Sequence, residues 1–108
     1  MITEIVVFRL PEGMSRDEAL AKYRLSIPIW QANPDLIRKA FLFDEASRQG
    51  GGVYLWKTIE AAKLAHGEEF RERIRSTYGR DPEIRYFETP ILVDNSIQRV
   101  IDEALQSA

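Results

Sequence analysis

The chain has a single histidine, His66, and it is the side chain whose ordinary titration point lies nearest neutrality. At helical spacing it falls in register with Ile59, Ala62, Phe70 and Ile74, which turns it toward an apolar face. Among such neighbours a neutral imidazole can act as a general base toward a phenolic or enolic proton. A helix-face histidine satisfied by a backbone carbonyl or by solvent is the alternative. Gly67 follows it, and a glycine inside a helix costs about 1 kcal/mol relative to alanine, so the dipeptide marks a helix break or a close approach of a ligand or strand. Tyr23 and Trp30 share the inner face of one predicted helix, and Tyr54 and Trp56 share one face of a predicted strand. Together with Phe70 these rings either wall an apolar pocket for an aromatic substrate or simply fill the core.

Other polar groups offer less. Arg71, Arg73 and Arg75 lie among Glu68, Glu69 and Glu72, at spacings that read as a solvated face of helical ion pairs, with Arg75 the one able to anchor an anion. Gly50-Gly51-Gly52 has no following Lys-Ser/Thr and opens no helix, so it is not a phosphate loop. One histidine and no cysteine leave no transition-metal cluster, no thiol nucleophile and no disulfide framework. No metal site is therefore expected.

The elements that must position these residues follow from the pattern. At 108 residues the chain suits one domain, and 1–108 is read as a single unit without repeats or linkers. Residues 2–10 make a strand ended by Pro11 and Gly13. Ser15 and Glu18 open a helix carrying Ala19, Leu20, Tyr23, Ile27 and Trp30 on one face, kinked or shortened by Pro28 and closed at Asn33-Pro34. Residues 36–43 and 52–57 form a hairpin around a turn from Asp44 to Gly51. Thr58 caps a helix over 59–78 that stops at Gly79, and residues 83–93 form a fourth strand, at an edge or bulged because of Pro90. Asp94 caps a last amphipathic helix over 95–106, with Ile97, Val100, Ile101, Ala104 and Leu105 as its stripe. The order is α+β, ferredoxin-like βαββαβ with an extra C-terminal helix.

Two helices cover one face of such a sheet, yet every strand carries apolar side chains on both faces. Ile5 and Val7 oppose Val6 and Phe8, and Val53 and Leu55 oppose Tyr54 and Trp56. A second copy of the chain is the expected cover, the alternative being the C-terminal helix itself. The net charge of −2 gives no reason to expect a nucleic-acid or membrane partner. Met1-Ile2-Thr3-Glu4 lacks the basic and apolar regions of a signal peptide, so the cytoplasm is the expected location.

The chain resembles the dimeric α+β barrel superfamily, and within it the YdhR-like proteins, which are regarded as monooxygenases. The residues that carry the resemblance are Gly51-Gly52-Val53-Tyr54-Leu55-Trp56 with the helix after them, and Val93-Asp94-Asn95. Tyr23 to Pro28, with Pro34-Asp35-Leu36, is also similar to the EthD-like branch, which often has a histidine where Ser26 stands. The resemblance implies a homodimer and a cofactor-independent oxygenase acting on an aromatic or polyketide-like molecule. A non-catalytic small-ligand-binding dimer and an isomerase on the same scaffold are the alternatives. Trp56-Lys57-Thr58 also matches the helix start of heme-degrading relatives. Their helix tryptophan and histidine would fall on Ala65 and Arg75, and the first strand has no asparagine, which disfavours heme degradation.

Overall fold

A computed structural model describes residues 1–106. The elements run β1 (Ile2–Arg9), α1 (Arg16–Gln31), β2 (Leu36–Asp44), β3 (Gln49–Trp56), α2 (Ile59–Ala65), α3 (Glu68–Tyr78), β4 (Glu83–Glu88), β5 (Ile91–Asp94), β6 (Arg99–Asp102) and α4 (Glu103–Gln106). The first four strands named in the sequence reading pair antiparallel in the order β2-β3-β1-β4, which is the ferredoxin-like α+β arrangement as an open sheet rather than a closed barrel. β1 sits inside the sheet and buries Glu4, Val6 and Phe8 on the helix side.

Local chemistry fixes the helices. Ser15 Oγ accepts from the Glu18 amide at 3.1 Å and caps α1, while Thr58 Oγ1 accepts from the Ala61 amide at 3.1 Å and caps α2. Pro28 lies inside α1, which continues past it to Gln31. Ala19, Tyr23 and Trp30 are buried, whereas Ile27, expected on the same face, is half exposed. The predicted helix over 59–78 is broken at His66-Gly67 into α2 and α3, and Gly79 ends α3 in the left-handed region at φ 86°. Glu68 pairs with Arg75 rather than with Arg71.

The C-terminal region departs from expectation. The predicted strand over 83–93 is two strands, interrupted at Thr89-Pro90, where the proline has no amide hydrogen to continue the ladder. The predicted helix over 95–106 is instead a turn, β6 and the short α4, with β5 and β6 forming a separate hairpin. Asp94 does accept from a nearby amide, that of Ser96 at 3.1 Å, but in a turn that Gln98 completes at φ 50°. The β2–β3 hairpin uses the same device: Asp44 accepts from the Ala46 amide at 3.2 Å, and Arg48 stands at φ 55°. That tight turn also places Gly50 and Gly51 inside β3 and not in the loop. The C-terminal hairpin is tied back by an Arg38–Asp94 ion pair at 2.9 Å. No helix among the described residues is long and apolar enough to cross a membrane.

Candidate functional site

The pairing register lines up one polar row across the sheet beneath the helices. Tyr86 on β4 faces Glu4 on β1, Glu4 faces Tyr54 on β3, and Tyr54 faces Lys39 on β2. Two charged residues at helix-facing positions of a sheet demand an explanation, because each loses hydration there.

Glu4 is fully buried. Trp56 Nε1 donates to Glu4 Oε1 at 2.8 Å, and His66 Nδ1 lies 2.7 Å from the same oxygen. The imidazole is turned so that this second contact has charge-pair distance without hydrogen-bond alignment. Among the described residues Glu4 Oε2 and His66 Nε2 have no partner of good geometry, although the Tyr86 hydroxyl lies close enough to act on Glu4. The helix break at His66 lets the ring enter the core. There Trp30 stacks on it at 5.3 Å, while Tyr54 and Phe70 meet it edge-on at 4.6 and 4.3 Å.

On the other side of those rings lies a cleft of about 230 Å³ between the sheet and helices α1 and α3. Tyr23, Trp30, Tyr54 and Phe70 line it, together with Phe8, Phe41 and Tyr78. Trp56 and His66 are not among its lining; both are buried one aromatic layer behind it. The structure thus brings four of the five proposed wall residues to one cleft and sets the proposed base behind them. Tyr23 Oη donates to the Leu42 carbonyl at 2.9 Å, and its ring stacks on Phe41 at 5.0 Å. Tyr78 stacks on Phe8 at 4.1 Å.

Lys39 is the residue that sequence reasoning missed. Its ammonium lies 4.1 Å from the Trp30 ring centre, 3.9 Å from that of Phe41 and 4.4 Å from that of Tyr54. Burial is the main cause that lowers its titration point from 10.5 to about 7; Arg73 also lowers it, and Glu4 opposes. The tyrosines shift the opposite way: burial raises Tyr23 and Tyr54 and brings Tyr78 to about 12, so they remain neutral donors. Two signals pointed to Lys39. One is its alternation with Phe41 and Phe43 on β2, and the other is the glycine run opposite. A Cβ on Gly52 would sit 3.0 Å from Lys39 Cε, and one on Gly50 would sit 2.1 Å from Tyr23 Oη. The glycines are therefore the floor on which the lysine stem and the tyrosine hydroxyl lie. Arg73, read from sequence as part of a solvated face, also lines the cleft, whereas Arg75 is engaged with Asp81 at 2.6 Å and Glu68 at 3.5 Å. Among the described residues no group of histidine and carboxylate side chains is arranged to hold a metal ion.

No family model and no curated protein matches the chain. Solved structures do match its fold. A monooxygenase of Streptomyces coelicolor, solved with the ligand nanaomycin D, aligns at TM-score 0.64 and 12% identity over 82% of this chain and 86% of that one. SnoaB, a cofactor-independent oxygenase of Streptomyces nogalater, aligns at 0.61 and 14% over 82% and 91%. A protein of Mycobacterium tuberculosis aligns at 0.63 and 10% over 88% and 99%. At these identities the likeness shows a shared α+β fold and the fold alone; another structure that shares it is described as an antibiotic biosynthesis monooxygenase.

Proposed function

We propose that the cleft binds a small, electron-rich aromatic or polyketide-like molecule, and that the chain is an oxygenase in which the substrate supplies the electrons. The observation that carries this reading is the cleft: aromatic walls and one half-buried amine facing the space where a ring would lie. The names of the Streptomyces structures with this fold support it. YdhR-like or EthD-like assignment adds nothing to the reading.

The chemistry asks little of the protein. A phenol in the cleft gives its proton to the neutral Lys39 amine and remains beside the resulting ammonium as phenolate. The phenolate pushes electron density to a ring carbon that bears hydrogen, and that carbon bonds to dioxygen. The O–O bond then breaks: one oxygen stays on the carbon as a carbonyl, and the other leaves as water with the two substrate hydrogens. A dihydroxynaphthalene plus dioxygen thus gives a hydroxynaphthoquinone plus water, with every electron drawn from the substrate. The rings hold the substrate and exclude water. His66 is the second candidate base; from its place behind Trp30 and Phe70 it reaches the substrate proton only when one of those rings turns aside.

The test is oxygen uptake with a dihydroxynaphthalene and no added flavin or metal. Uptake lost in Lys39→Met and kept in His66→Gln supports Lys39 as the base, and the opposite pattern assigns the proton to His66. Saturable quenching of tryptophan fluorescence without oxygen uptake would make the chain a binding protein.

The partner we propose is a second copy. The sheet face away from the helices carries Ile5, Val7, Leu42, Val53 and Phe87 half-buried or exposed, and β5 and β6 expose Ile91, Val93 and Val100. Sedimentation at micromolar concentration tests this: a monomer would remove the homodimer. A cytoplasmic setting is proposed on the absence of cysteines alone.

A further inference from the structure

The charged side chains lining the cleft are Lys22, Lys39 and Arg73, with no carboxylate among them. The whole chain carries two more acidic than basic residues, 17 against 15, so this sign is a property of the cleft and not of the protein. Lys39 has no hydrogen bond or ion pair within the described residues; its nitrogen lies against the faces of three rings. Glu4, the nearest carboxylate acting on it, is held by Trp56 and His66 on the far side of Tyr54. An amine placed this way has donors to spare and a space in front of it.

We propose that the cleft selects an acidic aromatic molecule, a planar ring carrying a carboxylate or an equally acidic oxygen, whose anion pairs with Lys39 between Trp30, Phe41 and Tyr54 while Arg73 and Lys22 draw it in. The inference rests on the reading of the cleft as a substrate site and adds the charge of the substrate. A carboxylate bound there holds Lys39 as the ammonium, so the phenol proton of such a substrate falls to the second candidate base, His66. A planar acid satisfies both halves of the lining, since its ring meets aromatic faces and its oxygens meet the cations. The volume, about 230 Å³, is below the roughly 300–1,000 Å³ of pockets that hold drug-sized ligands, so two fused rings are the expected scale.

Binding then has a proton signature. The titratable and charged groups around Lys39 are Lys22 and Tyr23 on α1, Glu4 on β1, Tyr54 on β3, and Arg73 and Tyr78 on α3, with His66 behind the rings. None of the cleft-lining groups is a carboxylate able to protonate the amine in place of a ligand. An arriving anion restores the ammonium, so the complex takes up a proton from neutral buffer.

The experiment compares a hydroxynaphthoate with the matching hydroxynaphthamide, titrated under nitrogen into the full chain by tryptophan fluorescence and by calorimetry in buffers of different ionisation heat. The expected result is a preference for the acid of about tenfold or more, with proton uptake on binding the acid only. In Lys39→Met the preference and the uptake disappear while the amide still binds, and in Arg73→Gln the preference falls with the uptake retained. Equal affinity for acid and amide in the unmodified protein overturns the proposal, as does absence of binding by either probe. An acid preference unchanged in Lys39→Met also overturns it. Oxygen uptake is not read here, so failure of the oxygenase reading leaves this result standing and failure of this one is seen separately.

Discussion

Replacing Lys39 by methionine should make the protein more stable at slightly acid pH, by an amount that shrinks as the solution becomes alkaline. The lysine titrates at about 7 in the folded chain against 10.5 for the free side chain, chiefly because burial disfavours its charge. Below pH 7 both states hold the proton and the folded state carries the full burial penalty. Between about 7 and 10.5 the unfolded chain holds a proton that the folded chain has released, so stability rises with pH through this window and the penalty is gone above it. At about 1.4 kcal/mol per pH unit the displacement is worth at most ~5 kcal/mol. Attraction to the three rings acts on the same charge and so belongs inside this displacement and not beside it; from pH 6 to pH 9.5 the gap between the two proteins should narrow by up to ~3 kcal/mol. Urea unfolding of both proteins near pH 6 and near pH 9.5 reads it directly, and the other titrating groups cancel in the comparison. The account of Lys39 is refuted if the gap between the two proteins does not change with pH, or if methionine is the less stable form at the acid end.

Three further outcomes follow from particular contacts. Gly50→Ala places a methyl 2.1 Å from Tyr23 Oη, so it should break the bond to the Leu42 carbonyl and cost about 1–3 kcal/mol in chemical unfolding. Glu4→Ala removes the acceptor of the buried Trp56 indole and strands His66, and a loss of about 3 kcal/mol is expected; a change within 0.5 would mean that water already serves these groups. Asp94→Ala removes the turn acceptor and the partner of Arg38, both exposed, and should loosen β5–β6 as seen by amide exchange while leaving global stability within about 1 kcal/mol.

The sheet and its two covering helices were legible because their signals are local and agree with one another. Val6 and Phe8 alternate with Ile5 and Val7, Ser15 and Thr58 cap, and Gly79 stops α3. The C-terminal segment misled because Ile97, Val100, Ile101 and Leu105 fit a helical stripe as well as they fit a hairpin, and spacing alone could not separate the two. The turn chemistry could have. Asp94 to Arg99 repeats the pattern of Asp44 to Gln49, an aspartate four residues before a left-handed residue, and Val100-Ile101 is a β-branched pair. At the site, the aromatic walls could be read from periodicity. Lys39 and Glu4 were passed over because a charged residue in an alternating strand is ordinarily assigned to the solvent face, although Lys39 shares its face with Phe41 and Phe43. The pairing register, which sets Lys39 beside Tyr54 and Tyr54 beside Glu4, shows that both lie under the helices.

Whether this cleft oxygenates an aromatic ring is decided by following heavy-isotope dioxygen into a dihydroxynaphthalene, using protein stripped of metal by chelation and given no flavin. The account predicts one labelled oxygen in the hydroxynaphthoquinone, the second in water, and a rate above the protein-free control that falls in Lys39→Met. Binding of the naphthalene with no label incorporated beyond the control would contradict it.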